Sequence, residues 1–128
     1  MASWEDVGRI ARGLPDVTEE NGRGYLAWSV GKKGFAWERP LRKGDLEALG
    51  ERAPAGPVLC AYVPDVGVKD VLIADDPAVF FTTPHFNGFP AILVELDRID
   101  VATLDEVLTE AWLCRAPKRL AKEWLESG

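Results

Sequence analysis

The segment Val58-Leu59-Cys60-Ala61-Tyr62-Val63 constrains the fold more than any other stretch. A strand with one face in water alternates apolar and polar residues, whereas an unbroken apolar run fits a central strand covered on both faces. The turn-forming run Ala53-Pro54-Ala55-Gly56-Pro57 marks where that strand begins. A sheet must therefore be assembled around this segment, and the rest of the chain has to supply its neighbours and its cover.

Further strands are expected at residues 25–30 and 35–39, both rich in aromatic and β-favouring residues, with Gly31-Lys32-Lys33-Gly34 as a tight hairpin connection. Two more, at residues 79–83 and 91–96, flank Pro84-His85-Phe86-Asn87-Gly88-Phe89-Pro90. Asn87-Gly88 there predicts a type I′ turn, because both residues tolerate positive φ. Helices are expected where the apolar period lengthens. Ser3 with Asp6 resembles a capping box ahead of Val7, Ile10, Ala11 and Leu14, and Gly13-Leu14-Pro15 closes that segment. Residues 44–52 read as a short helix with Leu46 and Leu49 on one face. Residues 68–74 fit a strand or a helix, and Val68, Val71 and Leu72 favour the helix. Thr103 with Glu106 predicts a capping box before the stripe Leu104, Val107, Leu108, Ala111 and Trp112. Ala116-Pro117 then breaks that helix and opens another, with Leu120, Ala121, Trp124 and Leu125 on its buried face. The order implies an α+β fold, with an antiparallel β-sheet built from hairpins, and an N-terminal helix and two C-terminal helices packed on one face.

A length of 128 residues suits one domain spanning 1–128. No apolar run approaches the roughly 20 residues that cross a bilayer, and Met1-Ala2-Ser3-Trp4-Glu5-Asp6 lacks the basic end and apolar stretch of a signal peptide. A cytoplasmic, monomeric protein without a membrane partner is expected. Cys60 and Cys114 form no C-x-x-C pair, so they read as free, buried small hydrophobes.

Charge is polarised. Residues 1–56 hold nine Lys/Arg against nine Asp/Glu, and residues 57–128 hold six against twelve. With a net charge of −6, general attraction to a polyanion is absent, and nucleic-acid binding needs a local patch. Lys32, Lys33, Arg39, Arg42 and Lys43 supply one, and Arg115 and Lys118 add a second cluster. Lysines at a hairpin tip flanked by Trp28, Phe35 and Trp37 could lie along phosphates and offer a ring to a base. The plainer reading keeps the lysines for solubility and the rings for the core. Asp65, Asp70, Asp75 and Asp76 read as a solvated surface, since their spacing makes no compact oxygen cage.

Signatures of nucleotide-binding loops, nucleophile elbows and zinc helices are absent, and no metal or cofactor is expected. His85 is the sole histidine, so a multi-histidine metal site or His-centred triad has no second member to draw on. Thr82, Thr83, His85 and Asn87, with Trp112 nearby, form a candidate site for a small ligand or a protein partner. His85 ordering its own turn is the plainer reading.

The run Phe80-Phe81-Thr82-Thr83-Pro84-His85-Phe86-Asn87-Gly88-Phe89-Pro90-Ala91 resembles the MmcQ/YjbR family of small bacterial proteins. So do Ala111-Trp112 with Arg115-Ala116-Pro117-Lys118, and Gly31-Lys32-Lys33-Gly34-Phe35-Ala36 upstream. The match runs from about Trp4 to Trp124. The resemblance implies a compact α+β fold of frataxin-like, double-wing arrangement, for which members are commonly labelled DNA-binding, and it offers no catalytic residues to carry over. A frataxin-like acidic first helix is missing, since Glu5 and Asp6 alternate with Arg9 and Arg12. The expectation is a non-enzymatic protein that binds DNA or RNA weakly through the basic hairpin, with a log-log salt slope of roughly −3 to −5 for about five phosphates. The alternative is a ligand- or protein-binding module at Thr82–Asn87.

Overall fold

The computed structural model describes residues 2–22 and 24–127. Six strands form one antiparallel sheet in the order β1-β2-β3-β4-β6-β5: β1 (Val17–Gly22), β2 (Tyr25–Val30), β3 (Lys33–Glu38), β4 (Val58–Tyr62), β5 (Phe80–Phe81) and β6 (Ala91–Glu95). The apolar segment around Cys60 is interior, with β3 on one side and β6 on the other. Alternation sends Leu59, Ala61, Ile92 and Val94 to one face and Val58, Cys60, Ala91 and Leu93 to the opposite one.

The first face carries the larger core. Helices α1 (Trp4–Arg12) and α4 (Val101–Arg115) lie on it, and α5 (Lys118–Ser127) adds Leu120 and Trp124. Ser3 and Asp6 form the expected capping box on α1. On α4 the cap is Asp100, whose Oδ1 accepts the Thr103 amide at 2.7 Å, so the helix begins earlier than a Thr103 cap would allow. The expected stripe of Leu104, Val107, Leu108, Ala111 and Trp112 is buried throughout.

The opposite face is covered by α2 (Lys43–Leu49), the 3₁₀ turn Gly50–Arg52 that continues it, and the segment 82–90. Several expectations change on this face and at the helix that follows β4. On α2 the buried residue is Asp45 while Leu46 is exposed, because the helix is held by the Arg39–Asp45 ion pair together with Leu49, which packs on the core without Leu46. Residues 66–75 are helical, α3 (Val66–Asp75), but Lys69, Leu72 and Ile73 face inward and Val68 and Val71 face out. Strand β5 is two residues long, and Pro84–Phe86 is a 3₁₀ turn. Asn87 has φ −61° and ψ 129°, and Gly88 has φ +76°, the pattern of a type II turn and not of type I′. Cys60 is buried as expected, whereas Cys114 is exposed near the end of α4.

The β2–β3 hairpin is tighter than its four-residue signal. Val30 pairs with Lys33, leaving Gly31-Lys32 as a two-residue connection with Gly31 at φ +59°. A bulge opposite Trp28 and Ser29 lets consecutive residues Phe35 and Ala36 both bury. Strand β1 was not signalled by hydrophobic pattern at all, since five of its six residues are exposed.

Candidate functional site

Strand β3 separates the basic residues into two groups, because the step from Lys33 to Arg39 spans roughly 20 Å of extended chain. At its first end Lys32 and Lys33 are exposed. Arg115 is tied to the same end. Its Nε donates to the Gly34 carbonyl at 3.2 Å, and its guanidinium lies 4.4 Å from the centre of the Tyr62 ring. Lys118 is exposed at the start of α5.

At the other end Arg39 turns inward. Its Nη2 donates to Asp45 Oδ2 at 3.2 Å, with both side chains nearly buried, and its guanidinium sits 5.3 Å from the Phe86 ring centre. Arg39 is thus a structural cation, and Arg42 and Lys43 are the exposed ones here. Burial alone would push the Asp45 carboxyl up. The Arg42 amide at 2.9 Å, the Arg39 guanidinium, the Thr83 hydroxyl and the His85 ring outweigh it and hold the group below the ordinary carboxylate value. Although near Asp45, the buried Thr83 Oγ1 makes no hydrogen bond of ordinary geometry among the described residues.

Lys69 is the residue that sequence reasoning missed. It is 3% exposed, and its Nζ donates to the carbonyls of Phe86 at 2.6 Å and Phe89 at 3.1 Å. Burial pulls its pKa below the ordinary lysine value. The lysine fastens the 86–89 turn against α3 and so fixes where the two phenylalanine rings stand. A signal existed in the sequence, for Lys69 precedes the inward-facing Leu72 and Ile73 by three and four residues.

Between the two basic ends runs a row of rings. His85 meets Phe86 with centres 4.9 Å apart, Phe86 meets Phe89 at 6.2 Å, Phe89 meets Tyr62 at 5.5 Å, and Tyr62 meets Trp37 at 5.8 Å. At the Arg42 end the surface opens into a cleft of about 490 Å³, lined among others by Tyr25, Trp37, Arg42, His85 and Phe89. Tyr25 and Phe89 are 47% and 38% exposed, so ring faces are accessible in this cleft. Glu38 also borders it, with Oε1 accepting the Leu26 amide at 3.1 Å.

The sequence candidates are therefore rearranged. Thr82, Thr83, His85 and Asn87 stay together, and His85 and Asn87 are exposed. No hydrogen bond from the His85 side chain to its own turn is found among the described residues. Trp112 does not join them: it is fully buried under the opposite face, where its Nε1 donates to the Pro15 carbonyl at 3.0 Å. Trp28 and Phe35 are also fully buried, and Trp28 Nε1 donates to Glu19 Oε1 at 2.8 Å. The rings nearest Lys32 and Lys33 on the hairpin therefore belong to the core, while Trp37, Tyr25 and Phe89 are the accessible ones. Among the described residues no group of three His, Cys, Asp or Glu side chains is placed to hold a metal, and no helix is long and apolar enough to cross a membrane.

Fold and surface together define a class of small α+β protein, an antiparallel sheet with a large helical layer on one side and a ring-lined, cation-flanked face on the other. The chain belongs to the YjbR family, whose model matches residues 12–114. It is 52% identical over 131 residues, covering all of this chain and 99% of theirs, to "Uncharacterized protein Rv2570" of Mycobacterium tuberculosis (strain ATCC 25618 / H37Rv) and "Uncharacterized protein Mb2600" of Mycobacterium bovis. In three dimensions it is similar to the crystal structure of Deinococcus radiodurans protein DR2400, domain DUF419. The TM-score is 0.69 at 19% identity, covering 96% of this chain and 88% of that chain. The family resemblance and the α+β fold expected from the residues are both met.

Proposed function

We propose that this protein is a non-enzymatic binder of single-stranded nucleic acid, with the strand lying across the ring-lined face between Arg42 and Lys33. The observation that carries this reading is the row from His85 through Phe89 and Tyr62 to Trp37, with exposed cations at both ends. Sheets that present rings to solvent commonly stack two or three unpaired bases, and each stack contributes about 1–3 kcal/mol whatever the base. A duplex hides its base faces and gains nothing from such a row.

The electrostatic share is modest. Arg39 is held by Asp45 and Arg115 by Gly34 and Tyr62, which leaves Lys32, Lys33, Arg42 and Lys43 to meet phosphates. Four contacts on a single strand give a log-log salt slope of about −3.

Fluorescence anisotropy with labelled single-stranded and duplex DNA and RNA at two salt concentrations tests the reading. Preference for the single strand, lost at least tenfold in Tyr25→Ala/Phe89→Ala and weakened in Arg42→Glu, is the expected result. Absence of binding at low salt overturns it, as does binding indifferent to those substitutions. Binding of mononucleotides alone, without gain from a longer strand, would favour the small-ligand reading of the Thr82–Asn87 turn.

A further inference from the structure

Helix α3 turns Lys69, Leu72 and Ile73 inward and leaves its valines outside. Its one lysine, Lys69, is buried, while Val66, Val68 and Val71 are exposed, Val71 at 67%. Beside it, between α3 and α4, lies a groove of about 350 Å³ whose walls are Val63, Val68, Leu72, Phe80 and Val107. Contiguous exposed apolar surface of this kind, with a polar rim, is what contact sites on soluble proteins present.

The rim has one sign. Glu106 and Glu110 border the groove, are exposed, and stand four residues apart on the same face of α4, where like charges repel. Neither is in an ion pair among the described residues, and the same holds for Asp70 on α3. From Asp65 to Glu110 the chain has ten carboxylates and only two cations, Lys69 and Arg98. Lys69 is turned away into the core, and Arg98 is paired with Glu95. The carboxylates around the groove therefore have no counter-charge from their own segment.

We propose that this groove docks a cationic amphipathic helix of another protein, whose aliphatic side chains enter between α3 and α4 while its lysines or arginines meet Glu106 and Glu110. Helix-in-groove recognition needs apolar anchors at i, i+3 or i+4 and a groove with complementary edges. A second copy of this chain does not offer that face. Its basic helix α5 commits Leu120 and Trp124 to its own core and pairs Arg119 with Glu123 and Lys122 with Glu126, leaving Leu125 as its only large exposed apolar side chain. The hairpin tip at Lys32 and Lys33 carries no exposed aliphatic residue.

The test uses the intact protein and a labelled 14-residue peptide with leucine at i, i+3, i+4 and i+7 and lysine at most other positions. A scrambled peptide of the same composition is the control. The expected result is saturable binding of the ordered peptide, at least tenfold weaker for the scrambled one. Val68→Ser/Val71→Ser and Glu106→Lys/Glu110→Lys should each lose at least tenfold, with Asp97→Lys unchanged. All four positions are at the surface, and unchanged melting curves confirm that the variants fold. Equal affinity for both peptides, or binding indifferent to the groove substitutions, overturns the proposal. Self-association that disappears in Val68→Ser/Val71→Ser also overturns it, by making a second copy the occupant. The probe contains no nucleic acid, so this outcome is independent of the single-strand reading.

Discussion

The two faces of the sheet are stabilised by different physics. Under α1 and α4, side chains such as Leu108 and Leu104 are sealed by area and shape, and the polar atoms of Trp112 and Trp28 are satisfied at the margin by Pro15 and Glu19. Under α2 and the 82–90 segment the apolar cluster is small, and its cover is held by polar devices: Arg39 with Asp45, and Lys69 on two carbonyls. The difference teaches where this chain can afford an open surface. The face closed by packing opens only into the aliphatic groove beside α3, whereas the one closed by directed bonds holds rings such as Phe89 at the surface in a fixed place.

Substitutions can break this contrast in order of size. Trp112→Ala removes one of the two fully buried tryptophans of the packed face and should cost about 3–5 kcal/mol, read from denaturant unfolding. Asp45→Ala leaves the Arg39 guanidinium buried without its partner and should cost about 3 kcal/mol by the same measurement. Asp45 also titrates lower when folded than when unfolded, so its contribution is present above the ordinary carboxylate value and is lost as pH falls through the lowered folded value. Asp45→Asn should accordingly flatten the acid limb of the stability profile, leaving only the part due to other lowered carboxyls such as Asp6 and Asp100.

Lys69→Met is the sharper probe. It strands the carbonyls of Phe86 and Phe89 but removes a buried charge, and these oppose each other to a net cost of about 1 kcal/mol. Single-strand affinity should fall more than stability does, because the turn that carries Phe89 loses its anchor. Equal losses in both would show that the lysine merely packs. The smallest effect belongs to Val71→Ser, which should leave unfolding within about 0.5 kcal/mol of the parent, since the residue touches little of either face.

Legibility in the sequence followed the same division. The α4 stripe and the central strand were readable because burial on the packed face obeys a period, and the family motif lay in contiguous residues. At α3 and α2 period misleads. Val68, Val71 and Leu72 share the spacing of Lys69, Leu72 and Ile73, and a rule that favours apolar residues picks the first set, whereas the structure buries the second. Asp45 and Leu46 exchange places for a similar reason, as an ion pair to a residue six positions earlier leaves no mark on the apolar period. Tyr25 and Phe89 entered the sequence only as a strand end and a turn residue. Their convergence with Trp37 depends on β2, β3 and the 86–89 turn meeting in space, which no local pattern encodes.

The sheet's two margins carry a consequence for how this protein behaves when crowded. One margin is β1, with Glu19 and Glu20 exposed along it, and the other is β5, only two residues long. An unpaired strand edge is a template on which a foreign strand can form, and carboxylates or a stub both make poor templates. Fibril-like growth by edge-to-edge stacking would have to start from a margin that repels it or from one too short to seed it.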